Sequence, residues 1–101
     1  MWYKVVKTGE LAEGQGRQVE AGTKLVALFF YRGQFYALRD QCTHAGAPLN
    51  GGEIRDFCVR CPSHGAEFDV RTGQSIGELA YNNVRVYKTR VVGDDVEVEI
   101  P

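Results

Sequence analysis

The stretch at residues 42–64, CTHAGAPLNGGEIRDFCVRCPSH, contains both histidines and all three cysteines of this 101-residue chain. Its two ends, CTH at 42–44 and CPSH at 61–64, each combine one cysteine with one histidine, and a glycine-rich interval separates them. Thiolate and imidazole are ligands of zinc and of iron–sulfur centres, whereas magnesium and calcium prefer oxygen. The pattern therefore predicts a site for a soft metal centre.

The distribution of ligands between the two ends bears on which centre is bound. A zinc site with two cysteines and two histidines usually keeps the cysteines in one knuckle and the histidines in the other. Here each end supplies one of each, which fits a two-iron cluster whose ligand types segregate by iron. Two alternatives stay open at this point: zinc in the same four residues, and a nucleophilic Cys–His pair. The nucleophilic pair leaves the other cysteine and histidine unexplained.

The residues around both ends resemble the Rieske family, whose pattern is C-x-H followed, after an interval, by C-x2-H. The resemblance extends through CTHAGAPL at 42–49 and CPSHGAEFDVRTG at 61–73, and it covers nearly the whole chain. It implies one Rieske-type [2Fe-2S] cluster, in which two histidines replace two cysteines on one iron. The implied ligands are Cys42 and Cys61 on the inner iron, and His44 and His64 on the outer iron.

The resemblance also implies a function. Rieske-type ferredoxins pass single electrons from an NAD(P)H-dependent flavoprotein reductase to a terminal oxygenase, such as an aromatic-ring-hydroxylating dioxygenase. A cluster with four protein ligands has no open position for substrate, and the chain has neither a G-x-G-x-x-G motif nor room for a catalytic domain. We therefore expect an electron carrier rather than an enzyme, with both partners docking at the cluster tip. The alternatives are a small Rieske subunit of a larger reductase of the nitrite reductase type, and a zinc-stabilised interaction module.

Charge and the amino terminus limit the other partners. The chain has 12 Lys and Arg against 13 Asp and Glu, with a net charge of −1, so nothing predicts a nucleic-acid surface. The first residues, MWYKVVK, show neither the basic region nor the following apolar region of a signal peptide. No apolar run approaches the length of a membrane span. We expect a cytoplasmic protein without a membrane partner.

Alternating apolar residues, rich in β-branched and aromatic types, predict an all-β chain. Strands are predicted at about 2–7, 17–20, 24–31, 34–40, 84–92 and 96–100. Hairpin turns are predicted at Arg32-Gly33 and Gly93-Asp94-Asp95, and a loop with one helical turn at 10–13 is predicted within 8–16. The predicted core residues are Leu25, Ala27, Phe29, Phe35, Ala37, Val84, Val86, Tyr87 and Val96.

Between Asp40 and about Ile76 the strand pattern gives way to short, glycine-dense segments. Together with the resemblance, this predicts a single Rieske domain over 1–101. Its basal antiparallel β sandwich or barrel would comprise about 1–40 and 77–101, with an inserted cluster-binding subdomain at about 41–76. Glycines 46, 51, 52, 65 and 73 are expected to bring backbone amides close to the cluster sulfurs.

Cys58 is the cysteine outside the two ends of the pattern, and it is expected to be a structural thiol. If residues 57–61 form a strand that enters the second end, positions 58 and 61 point to opposite faces and cannot share a metal. High-potential respiratory Rieske proteins carry an additional cysteine in each ligand loop, joined as a disulfide, and two hydroxyl donors. The corresponding positions here are Ala47, Ser63, Ala66 and Phe68. Because the loop disulfide and both hydroxyl donors are absent, we predict a reduction potential of about −150 mV, the low end of the Rieske range.

Overall fold

The computed structural model describes residues 1–43, 46–63, 65–77 and 82–101. These residues form antiparallel strands and no helix, which confirms the all-β prediction. The strands are β1 (Trp2–Lys7), β2 (Gly16–Ala21), β3 (Lys24–Tyr31), β4 (Gln34–Arg39), β5 (Glu53–Arg55), β6 (Cys58–Arg60), β7 (Glu67–Asp69), β8 (Ser75–Ile76), β9 (Val86–Tyr87), β10 (Thr89–Val92) and β11 (Asp95–Glu99).

The strands form three sheets, in the orders β1-β11-β10, β2-β3-β4-β9 and β5-β6-β7-β8. The second of these, the central sheet, is buried on both faces: four successive residues of β3, from Val26 to Phe29, are fully inaccessible to solvent. Since successive side chains of a strand point to opposite faces, unbroken burial requires a cover on each side. The side chains of Val26, Leu28 and Ala37 pack into one core with those of Val6, Val96 and Val98. The side chains of Ala27, Phe29 and Leu38 pack into the other with those of Ile54, Val59 and Phe68.

The two predicted hairpin turns are present. Arg32 and Gly33 have φ values of 49° and 76° between the paired residues Tyr31 and Gln34, as a two-residue turn with left-handed backbone requires. At the other hairpin the turn comprises only Gly93 and Asp94. Asp95, which we assigned to this turn, instead begins β11 and pairs with Val92.

The predicted strand at 84–92 is wrong in one respect, because it is two strands in different sheets. β9 pairs with β4 in the central sheet, whereas β10 pairs with β11. Exposed Lys88 lies between them, and its carbonyl accepts a hydrogen bond from the amide of Glu99 (2.9 Å). An alternating pattern records which residues face inward, but not which sheet they join.

The predicted helical turn at 10–13 is also wrong. This segment instead forms two tight turns, closed by hydrogen bonds from the Glu10 amide to the Lys7 carbonyl and from the Gln15 amide to the Ala12 carbonyl. Strands β5, β7 and β8 were not predicted, and β6 was considered only within a possible strand at 57–61, since we expected regular strands to resume only after Ile76. They contain two or three residues each, too few for alternation to be recognised.

Six of the predicted core residues are buried, and Phe35 and Val86 are half-buried. Leu25 is an error: it is 47% exposed. It lies one residue inside the start of β3, opposite exposed Glu20 on β2, where the core that contains Ala27 and Phe29 no longer covers its face of the sheet. In the part of the chain that the structure describes, no helix has the length and apolarity needed to cross a membrane.

Candidate metal centre

Two loops with the same backbone closure contain the cysteines of the two metal-binding motifs, CTH at 42–44 and CPSH at 61–64. We call these motifs the limbs. In loop 1 (residues 42–47), the Cys42 amide donates to the Ala47 carbonyl (2.7 Å) and the Gly46 amide donates to the Cys42 carbonyl (2.8 Å). Gly46 has a φ of 70°. The left-handed backbone at this position is the conformation that glycine adopts without a steric penalty.

Loop 2 (residues 61–66) repeats this closure at the same offsets. The Cys61 amide donates to the Ala66 carbonyl (2.7 Å), and the Gly65 amide, in a residue with a φ of 75°, donates to the Cys61 carbonyl (3.0 Å). In each loop, therefore, a glycine four positions after the cysteine and an alanine five positions after it close a ring on the cysteine backbone. The two limbs differ in sequence, C-x-H against C-x2-H, yet their described backbones are equivalent.

The two cysteines lie on the inner side of these loops. Cys42 and Cys61 are each 1% exposed, and both belong to the core that contains Leu49, Val59 and Phe68. A buried thiolate needs a positive partner, and coordination to a metal supplies one. Burial and donor chemistry at the two cysteines thus fit the inner half of a [2Fe-2S] site.

The predicted ligands His44 and His64 lie outside the described residues, as do Ala45 and the segment 78–81. The structure therefore brings the two cysteine-containing loops to the same core, and the assignment of the histidines stays a prediction.

Asp40 anchors the base of loop 1, a role that sequence reasoning missed. This aspartate is only 7% exposed. Its Oδ1 accepts hydrogen bonds from the amides of Leu49 (2.7 Å) and Asn50 (2.9 Å). Its Oδ2 accepts from Asn50 Nδ2 (2.7 Å) and Gln18 Nε2 (2.8 Å). One carboxylate thus ties the start of the loop segment to its end and to β2.

A second bond anchors loop 1 to the segment that precedes β9. The hydroxyl of Thr43 donates to the carbonyl of Asn82 at 2.6 Å. Thr43 occupies the variable position between the predicted ligands Cys42 and His44, so the limb pattern alone did not single it out.

Loop 2 is supported by strand pairing. It connects β6 to β7, whose register pairs Val59 with Phe68 and Arg60 with Glu67. The Arg60 side chain packs against Gly65: a Cβ built on Gly65 would lie 3.0 Å from Arg60 Nε. Loop 2 is therefore the end of a β-hairpin.

The structure corrects our expectation for the glycines. The amides of Gly46 and Gly65 donate to cysteine carbonyls, and those of Gly52 and Gly73 donate to the carbonyls of Leu49 and Asp69, so these four are not directed at cluster sulfurs. Gly52 and Gly73 are needed for a different reason. A Cβ on either would collide with backbone oxygens, those of Arg60 and Val84.

Cys58 is half-buried on β6, next to inward-facing Val59, whereas Cys61 is buried. Partial burial raises the pKa of the Cys58 thiol, and the carboxylates of Asp69 and Glu67 raise it further. Such a thiol stays protonated and weakly reactive at neutral pH. No disulfide joins any two of the three cysteines, all of which the structure describes.

Comparison with known proteins shows what this arrangement is similar to. Residues 1–88 match the Rieske [2Fe-2S] domain. The anthranilate 1,2-dioxygenase ferredoxin subunit of Burkholderia cepacia is 34% identical over 99 residues, covering 98% of this chain and 92% of that protein.

Two solved structures extend the similarity to the fold. The ferredoxin of carbazole 1,9a-dioxygenase from Nocardioides aromaticivorans superposes with a TM-score of 0.91 at 27% identity, covering 97% of this chain and 96% of that one. A chain in the complex of reduced oxygenase and oxidized ferredoxin of carbazole 1,9a-dioxygenase gives 0.88 at 32% identity, covering 96% and 91%. These similarities confirm the predicted fold class and the resemblance on which the sequence analysis relied.

Proposed function

Because this chain belongs to the Rieske [2Fe-2S] domain family, we propose that it is a one-electron carrier that binds one Rieske-type cluster between loops 1 and 2. The observation that carries the proposal is the pair of equivalent loops, each closing its backbone around a cysteine that is 1% exposed. Relatives that match almost the whole chain are named ferredoxin subunits of dioxygenases, which agrees with a carrier rather than an enzyme.

Four residues hold the cluster in this proposal. The thiolates of Cys42 and Cys61 bind the inner iron, and the imidazoles of His44 and His64 bind the outer iron. When bound, the cluster supplies reversible one-electron transfer without a free coordination position. Residues 41–76 form the cluster-binding subdomain of a single domain, and 1–40 with 77–101 form its base.

The protein contributes insulation on one side of the site and access on the other. The core around Cys42 and Cys61 keeps water away from the thiolates. Gly46, Pro48, Pro62 and Ser63 are exposed, small or rigid, and uncharged. A partner surface can approach such residues closely without displacing long side chains, and short contact distance favours electron transfer in a transient complex.

The proposed partners are the two predicted from the resemblance: an NAD(P)H-dependent flavoprotein reductase as donor and a terminal oxygenase as acceptor. A complex of oxygenase and ferredoxin is known for the similar carbazole 1,9a-dioxygenase system, which supports the second partner. Two solved chains named as nitrite reductase small subunits share the fold at under 25% identity. Their similarity concerns the fold alone and does not favour the reductase-subunit alternative for this chain. A cytoplasmic location stays a prediction of the sequence.

The test is a low-temperature EPR spectrum of the anaerobically purified, dithionite-reduced protein, with iron and zinc measured on the same sample. We expect a rhombic signal with the lowered average g value of mixed Cys and His ligation, and two irons per chain. Stoichiometric zinc without iron would contradict the proposal and support the interaction module. Stable co-purification with a large reductase would support the subunit alternative.

Voltammetry on the same protein tests the predicted potential. Ala66 and Phe68 offer no hydroxyl to the cluster, and Phe68 is fully buried. Fewer hydrogen bonds stabilise the reduced cluster less, so we expect about −150 mV. A strongly positive potential would show that other donors replace these hydroxyls.

A further inference from the structure

Three cations form a row beside loop 1. Register places Arg39 opposite Val26 across β3 and β4, and Lys24 two residues from Val26 on the same face. The β4–β9 register continues to Arg85, whose carbonyl accepts the Arg39 amide at 2.9 Å. Lys24, Arg39 and Arg85 are therefore neighbours on one face of the central sheet, and all three are exposed. We call them the cationic row.

The row lacks neutralising ion pairs; the Arg85 guanidinium lies 5.8 Å from the centroid of the Tyr87 ring, a cation–π contact that brings no negative charge. Like charges directly opposite each other on a sheet destabilise it, and Arg39 faces Arg85 in this way. No described carboxylate forms an ion pair with any of the three. The same is true of Arg32, Arg55, Arg60 and Lys88, so the distinguishing feature of the row is that its cations are neighbours. A destabilising arrangement without a local gain is typical of a functional surface.

The row adjoins the exposed tip. A cleft of about 470 Å³ is lined by Lys24 and Arg39 together with Asp40, Gly46 and Pro48. The Asp40 carboxylate is buried and accepts its hydrogen bonds from Leu49, Asn50 and Gln18, not from the row. A second, of about 340 Å³, is lined by Arg39 and Arg85 together with Thr43 and Gly46. Arg39 and Gly46 line both clefts, so the row continues into the surface of loop 1.

The side next to loop 2 differs in charge. The cleft there is lined by both signs: Glu53, Asp56 and Glu67 with Arg55 and Arg60. With a net charge of −1 for the whole chain, the cationic row is a local departure from neutrality. The potential near the tip is therefore asymmetric, positive on the loop 1 side.

We propose that the cationic row is a docking surface for an electron-transfer partner protein that carries Asp and Glu side chains around its own redox centre. This inference rests on the proposed function. The row extends from β3 across β4 to the residue before β9, about 10 Å at the usual strand spacing, so it matches several carboxylates on a surface better than one small anion. Such charges at the rim of an interface mainly accelerate association and fix orientation.

The test uses two electron acceptors of opposite surface charge, acidic cytochrome b5 and basic cytochrome c. In each reaction the reduced protein loses one electron and the ferric haem becomes ferrous. The row variant Lys24→Gln/Arg39→Gln/Arg85→Gln is compared with Lys4→Gln/Arg32→Gln/Lys88→Gln, which removes three positive charges elsewhere. At 0.1 M ionic strength the Debye length is about 10 Å, so charges far from the contact are largely screened.

We expect the wild-type rate with cytochrome b5 to fall as salt is raised. The row variant should react about tenfold more slowly and with a weaker salt dependence, whereas the control variant stays within about twofold of wild type. With cytochrome c the row variant should not be slower. Arg39→Lys/Arg85→Lys, which keeps the charges, should retain the wild-type rate.

Equal effects of the two triple variants, or a faster reaction of the row variant with cytochrome b5, would overturn the inference. So would row-dependent binding to phosphatidylserine vesicles with an unchanged cytochrome b5 rate, which would assign the row to a membrane surface. The EPR signal of each variant separates the two proposals. A wild-type protein without the Rieske signal fails the proposed function, whereas intact signals with unchanged rates fail only this inference.

Discussion

Loops 1 and 2 close around their cysteines with the same two hydrogen bonds, yet the protein supports them by different means. Loop 2 ends a β-hairpin, so backbone pairing of β6 and β7 sets its position. Loop 1 follows the end of β4 and depends on side chains, chiefly the buried carboxylate of Asp40. Equivalent geometry at a metal site therefore does not imply equal tolerance of substitution on its two sides.

The largest expected effect comes from replacing the proposed cysteine ligands, and it should be the same in both loops. Cys42→Ala and Cys61→Ala should each abolish the Rieske EPR signal, because each removes one proposed thiolate ligand. Cys58→Ala is the matched control and should retain the signal, since Cys58 is half-buried on β6 and does not belong to the core that contains Cys42 and Cys61. Retention of the signal in either ligand variant, or its loss in the control, would break the proposed assignment.

The next largest effect should differ between the two loops, because side chains support loop 1 and strand pairing supports loop 2. Asp40→Ala leaves the amides of Leu49 and Asn50 without their acceptor in a buried position, and we expect it to lower the free energy of unfolding by about 3 kcal/mol. Arg60→Ala beside loop 2 should lower it by less than about 1 kcal/mol, because its side chain is exposed. Urea denaturation of both variants measures the difference. Equal losses would show that side chains support both loops alike.

A smaller effect compares the two glycines. Gly46→Ala and Gly65→Ala both place a side chain on left-handed backbone, at about 1 kcal/mol each. Gly65→Ala should be worse by a few tenths of a kcal/mol, because its Cβ would meet Arg60, whereas that of Gly46 would meet only Gln41 Nε2 at an ordinary 3.5 Å. Removing Arg60 in a double variant should abolish this excess, and thermal denaturation tests it. An excess that persists without Arg60 would place its cause in the backbone.

The smallest effect concerns the bond from loop 1 to Asn82. Thr43→Val removes one hydroxyl donor of nearly the same shape, and we expect a loss of about 0.5–1 kcal/mol in unfolding free energy. Thr43→Ser keeps the hydroxyl and should retain most of that stability. If Val and Ser variants were equally stable, the hydroxyl would contribute nothing to loop 1.

Much of the scaffold could be predicted because its strands are long enough to alternate. β1 and β3 were placed at their observed bounds, and Arg32-Gly33 was recognised from its turn chemistry. The same rule failed at Leu25, where period two extended the core to a rim residue. It also failed for β5 to β8, where pairing is enforced by tertiary contacts and leaves no local pattern.

In the candidate metal site, too, residues with a local sequence pattern could be predicted, and residues brought together by the fold could not. The two cysteines were predictable because their spacing to the histidines is local in sequence. Asp40 was not, because its role depends on Leu49 and Asn50 folding back onto it. An aspartate after a strand is otherwise an ordinary turn residue. The cationic row was invisible for a similar reason: Lys24, Arg39 and Arg85 become neighbours only through the register of the sheet.

The burial of β3 on both faces has a consequence for exchange of backbone hydrogens with solvent. Its inner amides are hydrogen-bonded to β2 or β4 beneath side chains that water does not reach, so they exchange only when the sheets separate. The described amides of loops 1 and 2 do not belong to β3 and can exchange through local opening. The rate of deuterium uptake in loops 1 and 2 would thus measure local opening of the candidate metal site, and the rate in β3 would measure unfolding of the whole domain.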